Sequence, residues 1–268
     1  SVVKGSISGY PVDEFTSNFW VNKGKVFLNQ AQLLADQGVW NLEGIVDLDG
    51  ELDLTLEAKD VKLNNLKSVH QLNKLAGNIN LQGELGGKVR APEFRGEFAA
   101  NQLGYKQFSI GQMQGEINYQ SATAKLEQVE LPQLNTSLTG KLNFKEQTSS
   151  IKLDTKSVAV EKVLARGDLD WPASGRLTAS LEVKNILADP LIEGKAEVTE
   201  GSFYHQPVDR VNLSVHYHDQ KWQIDNLAGE YKQSRFRAAG EYKANRLDLE
   251  VSSQQFHLPD IKATEQLR

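Results

Sequence analysis

The chain of 268 residues contains no cysteine. That excludes disulfides, thiolate metal ligands and thiol nucleophiles, and it leaves the redox compartment open. Aromatic residues make up only 8%, too few for the aromatic girdles that mark the strand ends of an outer-membrane barrel. A basic excess is missing as well. Thirty Lys and Arg face 35 Asp and Glu for a net charge of −5, so there is no basic stripe to neutralise nucleic-acid phosphates. No run approaches the roughly eighteen apolar residues of a membrane-spanning helix. Residues 1–20 also lack the charged and apolar regions of a signal peptide, so Ser1 reads as an internal starting point within a longer protein. No serine has a G-x-S-x-G setting and no P-loop is present. The expectation is a non-enzyme without cofactor or metal.

What is present is alternation. Leu52, Leu54, Leu56 and Ala58 interleave with Glu51, Asp53, Thr55 and Glu57. Ile79, Leu81, Gly83 and Leu85 alternate with Asn80, Gln82 and Glu84. Val211, Leu213, Val215 and Tyr217 continue the pattern, as do Leu247, Leu249 and Val251. A period of two gives a strand with one apolar and one wet face. Breaks at Asp49-Gly50, Gly86-Gly87, Glu200-Gly201 and His218-Asp219-Gln220 read as hairpin turns. The fold class expected is all-β: an elongated, curled antiparallel sheet of roughly eighteen short strands, with one or two short helices. Gly44, Gly77, Gly96, Gly115, Gly140, Gly175, Gly194 and Gly240 fall inside these runs, where glycine marks bends and bulges.

The pattern also repeats. Pro92 matches Pro190, Gly96 matches Gly194 and Tyr119 matches Tyr217, each 98 positions apart, and Lys59-Asp60-Val61 falls opposite Lys156-Ser157-Val158 at 97. The matched positions are Gly, Pro, apolar or turn residues, so copying has extended a surface rather than an active site. The repeat predicts one continuous array with units near 1–75 (partial), 76–173 and 174–268. Leu66, Val69, Leu72 and Leu75 predict a short amphipathic helix from Asn65 to Ala76, ended by Gly77. Its counterpart, Glu161 to Ala173, is less clearly helical.

Polar residues offer little chemistry. His216 and His218 form a His-x-His pair on a wet face with no third ligand in view. Asp47, Asp49, Glu51 and Asp53 lack the glycine and terminal glutamate of a calcium loop. They read as an outward charged face. Lys88, Arg90, Arg235 and Arg237 read as edge or solvent-face cations, with contact to phosphate head groups as the sharper alternative. Of the four tryptophans, Trp222 is in phase with Ile224 and reads as core or lining.

Two segments carry a resemblance. Leu75-Ala-Gly-Asn-Ile-Asn-Leu followed by Ala91-Pro92-Glu-Phe-Arg-Gly96-Glu-Phe98, and Gly175-Arg-Leu followed by Asp189-Pro190-Leu-Ile-Glu-Gly194-Lys-Ala, share one plan. A Gly-led strand, a short Pro-containing turn and a second Gly-led strand follow in order, and the plan ends in an apolar-Pro segment such as Phe256-His-Leu-Pro259. Across essentially the whole chain this resembles the TamB and AsmA-like family of bacterial envelope proteins. The resemblance implies an inner-membrane-anchored protein whose long β-groove crosses the periplasm of a diderm bacterium and conducts phospholipid between the two membranes. It also implies a link to outer-membrane protein assembly through the barrel TamA, by way of regions outside this chain.

The groove lining expected from the alternation comprises Leu52, Leu54, Leu56, Ile79, Leu81, Phe94, Phe98, Ile117, Leu126, Leu142, Phe144, Leu153, Leu177, Leu181, Val198, Leu213, Val215, Ile224 and Leu249. A single sheet needs a second layer, and phospholipid acyl chains are one suitable cover. A structural or adhesive β-sandwich or solenoid with a filled core would use the same alternation.

Overall fold

Alternating residues bury one side of a strand while the other stays wet, so each run needs only neighbouring strands to satisfy its backbone. A computed structural model of the chain describes residues 2–7, 10–35, 37–65, 75–105, 108–186, 188–243, 246–255 and 257. It contains seventeen strands, divided between two compact units: Ser1–Leu131 with Thr139–Glu146, and Pro132–Leu138 with Gln147–Arg268.

The first unit holds β1 (Val2–Ile7), β2 (Tyr10–Asn22), β3 (Lys25–Ala35), β4 (Gly38–Asp47) and β5 (Leu52–Lys62). It continues with β6 (Leu75–Lys88), β7 (Ala91–Tyr105), β8 (Phe108–Gln120) and β9 (Thr123–Leu131). Each strand pairs antiparallel with the next. β10 (Thr136–Asn143) spans the division.

The second unit runs through β11 (Thr148–Ala159), β12 (Ala173–Lys184), β13 (Leu191–Phe203), β14 (Gln206–His218), β15 (Lys221–Tyr231), β16 (Ser234–Lys243) and β17 (Arg246–Gln255). It is the same antiparallel meander. Among the described residues no ladder joins the first strand of either unit to its last, so neither sheet closes on itself as a barrel. The one α-helix among the described residues, α1 (Val160–Arg166), lies between β11 and β12 and buries no residue fully. Its Arg166 Nη2 donates to Gln133 Oε1 at 2.6 Å.

Three expectations change. Most of the helix predicted at Asn65–Ala76 lies outside the described residues, but Leu75 and Ala76 open β6. Gly77 lies within β6 at φ +128, pressed between the backbones of Asn101 and Leu103. It bends a strand and does not end a helix. The turn expected at Gly86-Gly87 falls three residues later, at Val89-Arg90, because β6 continues to Lys88. That expected at Glu200-Gly201 moves to Tyr204-His205, since β13 continues to Phe203.

Glu200-Gly201 instead belongs to a regular series of β-bulges. Gln30, Asp60, Gln102, Gln128, Ser157 and Glu200 all have φ between 49 and 56. Each is the second residue of a polar doublet that interrupts the alternation: Lys59-Asp60 between Ala58 and Val61, for example, where the β5–β6 register shifts. The spacing is that of the repeat. Gln30 and Gln128 are 98 apart, Asp60 and Ser157 are 97, and Gln102 and Glu200 are 98. A register shift at Asp225-Asn226, 98 beyond Glu127-Gln128, continues the series. A bulge adds one residue on the outer side and bends the strand, so the apolar residue after it turns sharply into the sheet's inner face. Ala31, Val61, Leu103, Val129 and Val158 occupy those places and are 0–4% exposed.

Candidate functional site

Register decides which residues share a face, because a shift of one would invert every side chain. In the first unit one lateral row runs Leu42, Leu56, Gly83, Gly96, Ile117 and Leu126. The next runs Gly44, Leu54, Leu85, Phe94, Tyr119 and Ala124. Beside them lie the rows of Ala58, Leu81 and Phe98, and of Val61, Ile79 and Ala100, while Leu52 faces Val46. All nine lining residues predicted between 52 and 126 therefore sit on a single face. Phe144 joins it, with its ring centroid 6.4 Å from that of Tyr119, and Leu142, two residues earlier, is buried.

The second unit repeats the arrangement. Leu153, Leu181, Gly194, Val215, Ile224, Gly240 and Leu249 form one row. Ala179, Ala196, Leu213, Leu227 and Ala238 form the next, and Leu177, Val198 and Val211 the one after. All eight lining residues predicted here share this face too.

These side chains are only partly covered. Leu54, Phe98 and Leu142 are buried, Leu249 is 41% exposed, and the remaining predicted residues are half-buried. The residues after the bulges are more fully covered than any of these, and the list read from the sequence lacked them.

The opposite face is charged. Asp47 pairs with Lys25 at 3.4 Å and Glu57 with Lys59 at 2.7 Å. Glu97, Glu116 and Glu127 stand directly opposite one another on adjacent strands, which only a solvated face tolerates well. Arg235 lies within 3.6 Å of Glu230. Arg237 is exposed in the same phase, and Lys88 and Arg90 are exposed at the β6–β7 turn.

Three carboxylates on this side are held below their ordinary range. A hydrogen bond from Lys59 lowers Glu57, the Ser180 hydroxyl lowers Asp154, and Lys221 lowers Glu241. A depressed folded value stabilises the fold above the unfolded pKa and ceases to do so as pH falls through the folded one. The thermal midpoint should therefore be level from about pH 8 to 5 and fall below about pH 4.5, the fall being shallow because these groups are exposed and salt screens them. A pH series of melting curves checks this.

The two histidines separate. His216 Nδ1 lies 2.9 Å from Asp225 Oδ2. His218 meets Asp219 at 3.1 Å, and Asp189 from the β12–β13 connection completes a group whose ligand atoms lie within 4.8 Å of one another. A third residue is thus near His218 that the sequence did not reveal, because it arrives from another hairpin. All three are exposed. Of the tryptophans, Trp222 lies opposite Tyr217 and Tyr242 on the apolar side. Trp40 is in register with Leu33 and Ala58, its Nε1 buried without a hydrogen-bond partner.

Two antiparallel meanders, along which one pattern recurs about every ninety-eight residues and each of which carries a half-covered apolar face, define a repeat-built all-β protein. Residues 29–216 match the family model of the TamB C-terminal domain, and the chain belongs to the TamB family, as a protein of the cell envelope. Neither a curated protein nor a solved structure matches it.

Proposed function

We propose that the apolar face of each unit lines a groove that holds phospholipid acyl chains in the periplasm, in a protein that conducts them between the inner and outer membranes with no chemistry of its own. The observation that carries this reading is that every predicted lining residue lies on one apolar face of its unit and most remain half-exposed. Each buried CH₂ is worth about 0.8 kcal/mol, so a chain of roughly sixteen carbons gains on the order of 10 kcal/mol in leaving water. Aliphatic walls impose no hydrogen-bond geometry, so a chain can slide along them. An outer-membrane barrel of the TamA kind is the partner this reading implies, reached through regions beyond this chain.

The test is native mass spectrometry of protein purified without detergent. Phospholipid should accompany the wild-type chain. Leu213→Glu, which places a charge on a half-exposed wall, should lose most of it while keeping the wild-type circular dichroism spectrum. A lipid-free wild type, or a Leu213→Glu that simply unfolds, would favour a core filled by the protein itself.

A further inference from the structure

His218 ends β14 on the outer face, alternating with the inward Tyr217, and Asp219 follows it in the two-residue turn to β15. Asp189 arrives from the β12–β13 connection. The two meet because β13 and β14 stay paired as far as Ile192 and Tyr217, which sets their ends side by side. His218 Nδ1 lies 3.1 Å from Asp219 Oδ2. One ligand atom from each of the three residues lies within 4.8 Å of the other two.

Nothing in the fold requires these side chains. The equivalent junction 98 residues earlier, between β7 and β8, has Ala91, Gln120 and Ser121 in their places. There the two strand ends are tied directly, since Gln120 Nε2 donates to Glu93 Oε1 at 2.8 Å. In the later repeat Leu191 stands where Glu93 stood, and leucine accepts no hydrogen bond. That tie is gone. An imidazole and two carboxylates stand at the junction instead, one of the carboxylates from the other hairpin. The proline after the first of them is common to both repeats, as Pro92 and Pro190, while the residue before it changes from Ala91 to Asp189.

We propose that Asp189, His218 and Asp219 bind a zinc ion that fastens the two hairpin ends. One neutral imidazole and two carboxylates balance the charge of a divalent cation. Imidazole suits zinc, whereas calcium and magnesium take oxygen ligands. Three protein ligands leave the fourth tetrahedral position to water. Ligand atoms around zinc stand about 3.4 Å apart, so the three groups have to draw together slightly, and exposed side chains do so by small rotations. Lys221, opposite His218 on β15, is engaged by Glu241. The site lies outside the apolar face and does not depend on the groove reading.

Zinc is titrated into the chain, free of any histidine tag, by isothermal calorimetry at neutral pH, with native mass spectrometry to count the ions bound. One zinc should bind per chain, and calcium or magnesium in about tenfold excess should not displace it. Asp189→Ala, His218→Ala and Asp219→Ala should each weaken binding about tenfold or more while keeping the wild-type circular dichroism spectrum. His216→Ala should change it by less than about twofold, since His216 faces Asp225 and not this group. Asp189→Ala is the decisive variant, because Asp189 alone comes from the other hairpin. Wild-type affinity in Asp189→Ala overturns the proposal. So does a loss in His216→Ala equal to that in His218→Ala, which would assign the ion to the His-x-His pair, and so does a wild-type chain that binds no zinc.

Discussion

Gly96→Ala should destabilise the first unit by about 3 kcal/mol or more, although a methyl group on a strand is ordinarily harmless. Gly96 faces Gly83 across the β6–β7 ladder. A Cβ on Gly96 would lie 2.1 Å from the Gln82 carbonyl oxygen and 2.7 Å from Gly83 Cα. Those are backbone atoms and cannot step aside, so the ladder must open. Gly194, 98 residues on, provides the internal control. Its Cβ would meet Leu181 Cδ2 at 2.5 Å, the far end of a flexible side chain, so Gly194→Ala should cost about 1 kcal/mol or less. Denaturant unfolding of both variants measures the difference. Equal costs would mean that the close approach in β6–β7 is relaxed in solution.

Val61→Asp should prevent the first unit from folding cooperatively. Val61 is 0% exposed. It follows the Lys59-Asp60 bulge, and its Cγ2 would lie only 2.6 Å from a Cβ added to Gly38. A carboxylate there has no partner and no water, a loss of about 3–5 kcal/mol, which is a large part of the stability of an ordinary domain. The contrast with Leu213→Glu matters. Both place an acid on the apolar face, but Val61 is at the closed floor behind a bulge and Leu213 is half-exposed on the wall. A cooperative melt for Val61→Asp near the wild-type midpoint would show that the floor is not packed.

Much of this was legible because alternation is a local property. Leu52, Leu54 and Leu56 announce their common side without reference to any other strand, and the ladders only had to bring such sides together. The bulges were also written in the sequence, as polar doublets. Asn29-Gln30, Lys59-Asp60, Asn101-Gln102 and Glu127-Gln128 each break the period by one residue. Taken as simple interruptions they look like turns or noise. Their meaning lies in the apolar residue that follows, and for that reason Ala31, Val61, Leu103 and Val129 were missing from the predicted lining. The turns at Gly86-Gly87 and Glu200-Gly201 were misplaced for a related cause: glycine in this fold serves close approach and bending inside strands as often as reversal at their ends. Asp189 beside His218 could not be read at all, since only the pairing of β13 with β14 brings the two hairpin ends together.

The central claim is that the apolar faces hold acyl chains, and β14 tests it most directly. A photo-crosslinking amino acid is placed in turn at positions 211 to 216, and the irradiated envelope is analysed for lipid adducts. Val211, Leu213 and Val215 lie in the inward rows, and Asn212, Ser214 and His216 in the outward ones. Adducts to phospholipid should form at the first three positions and be absent at the other three. Adducts at none of the six, or at all six alike, would contradict it.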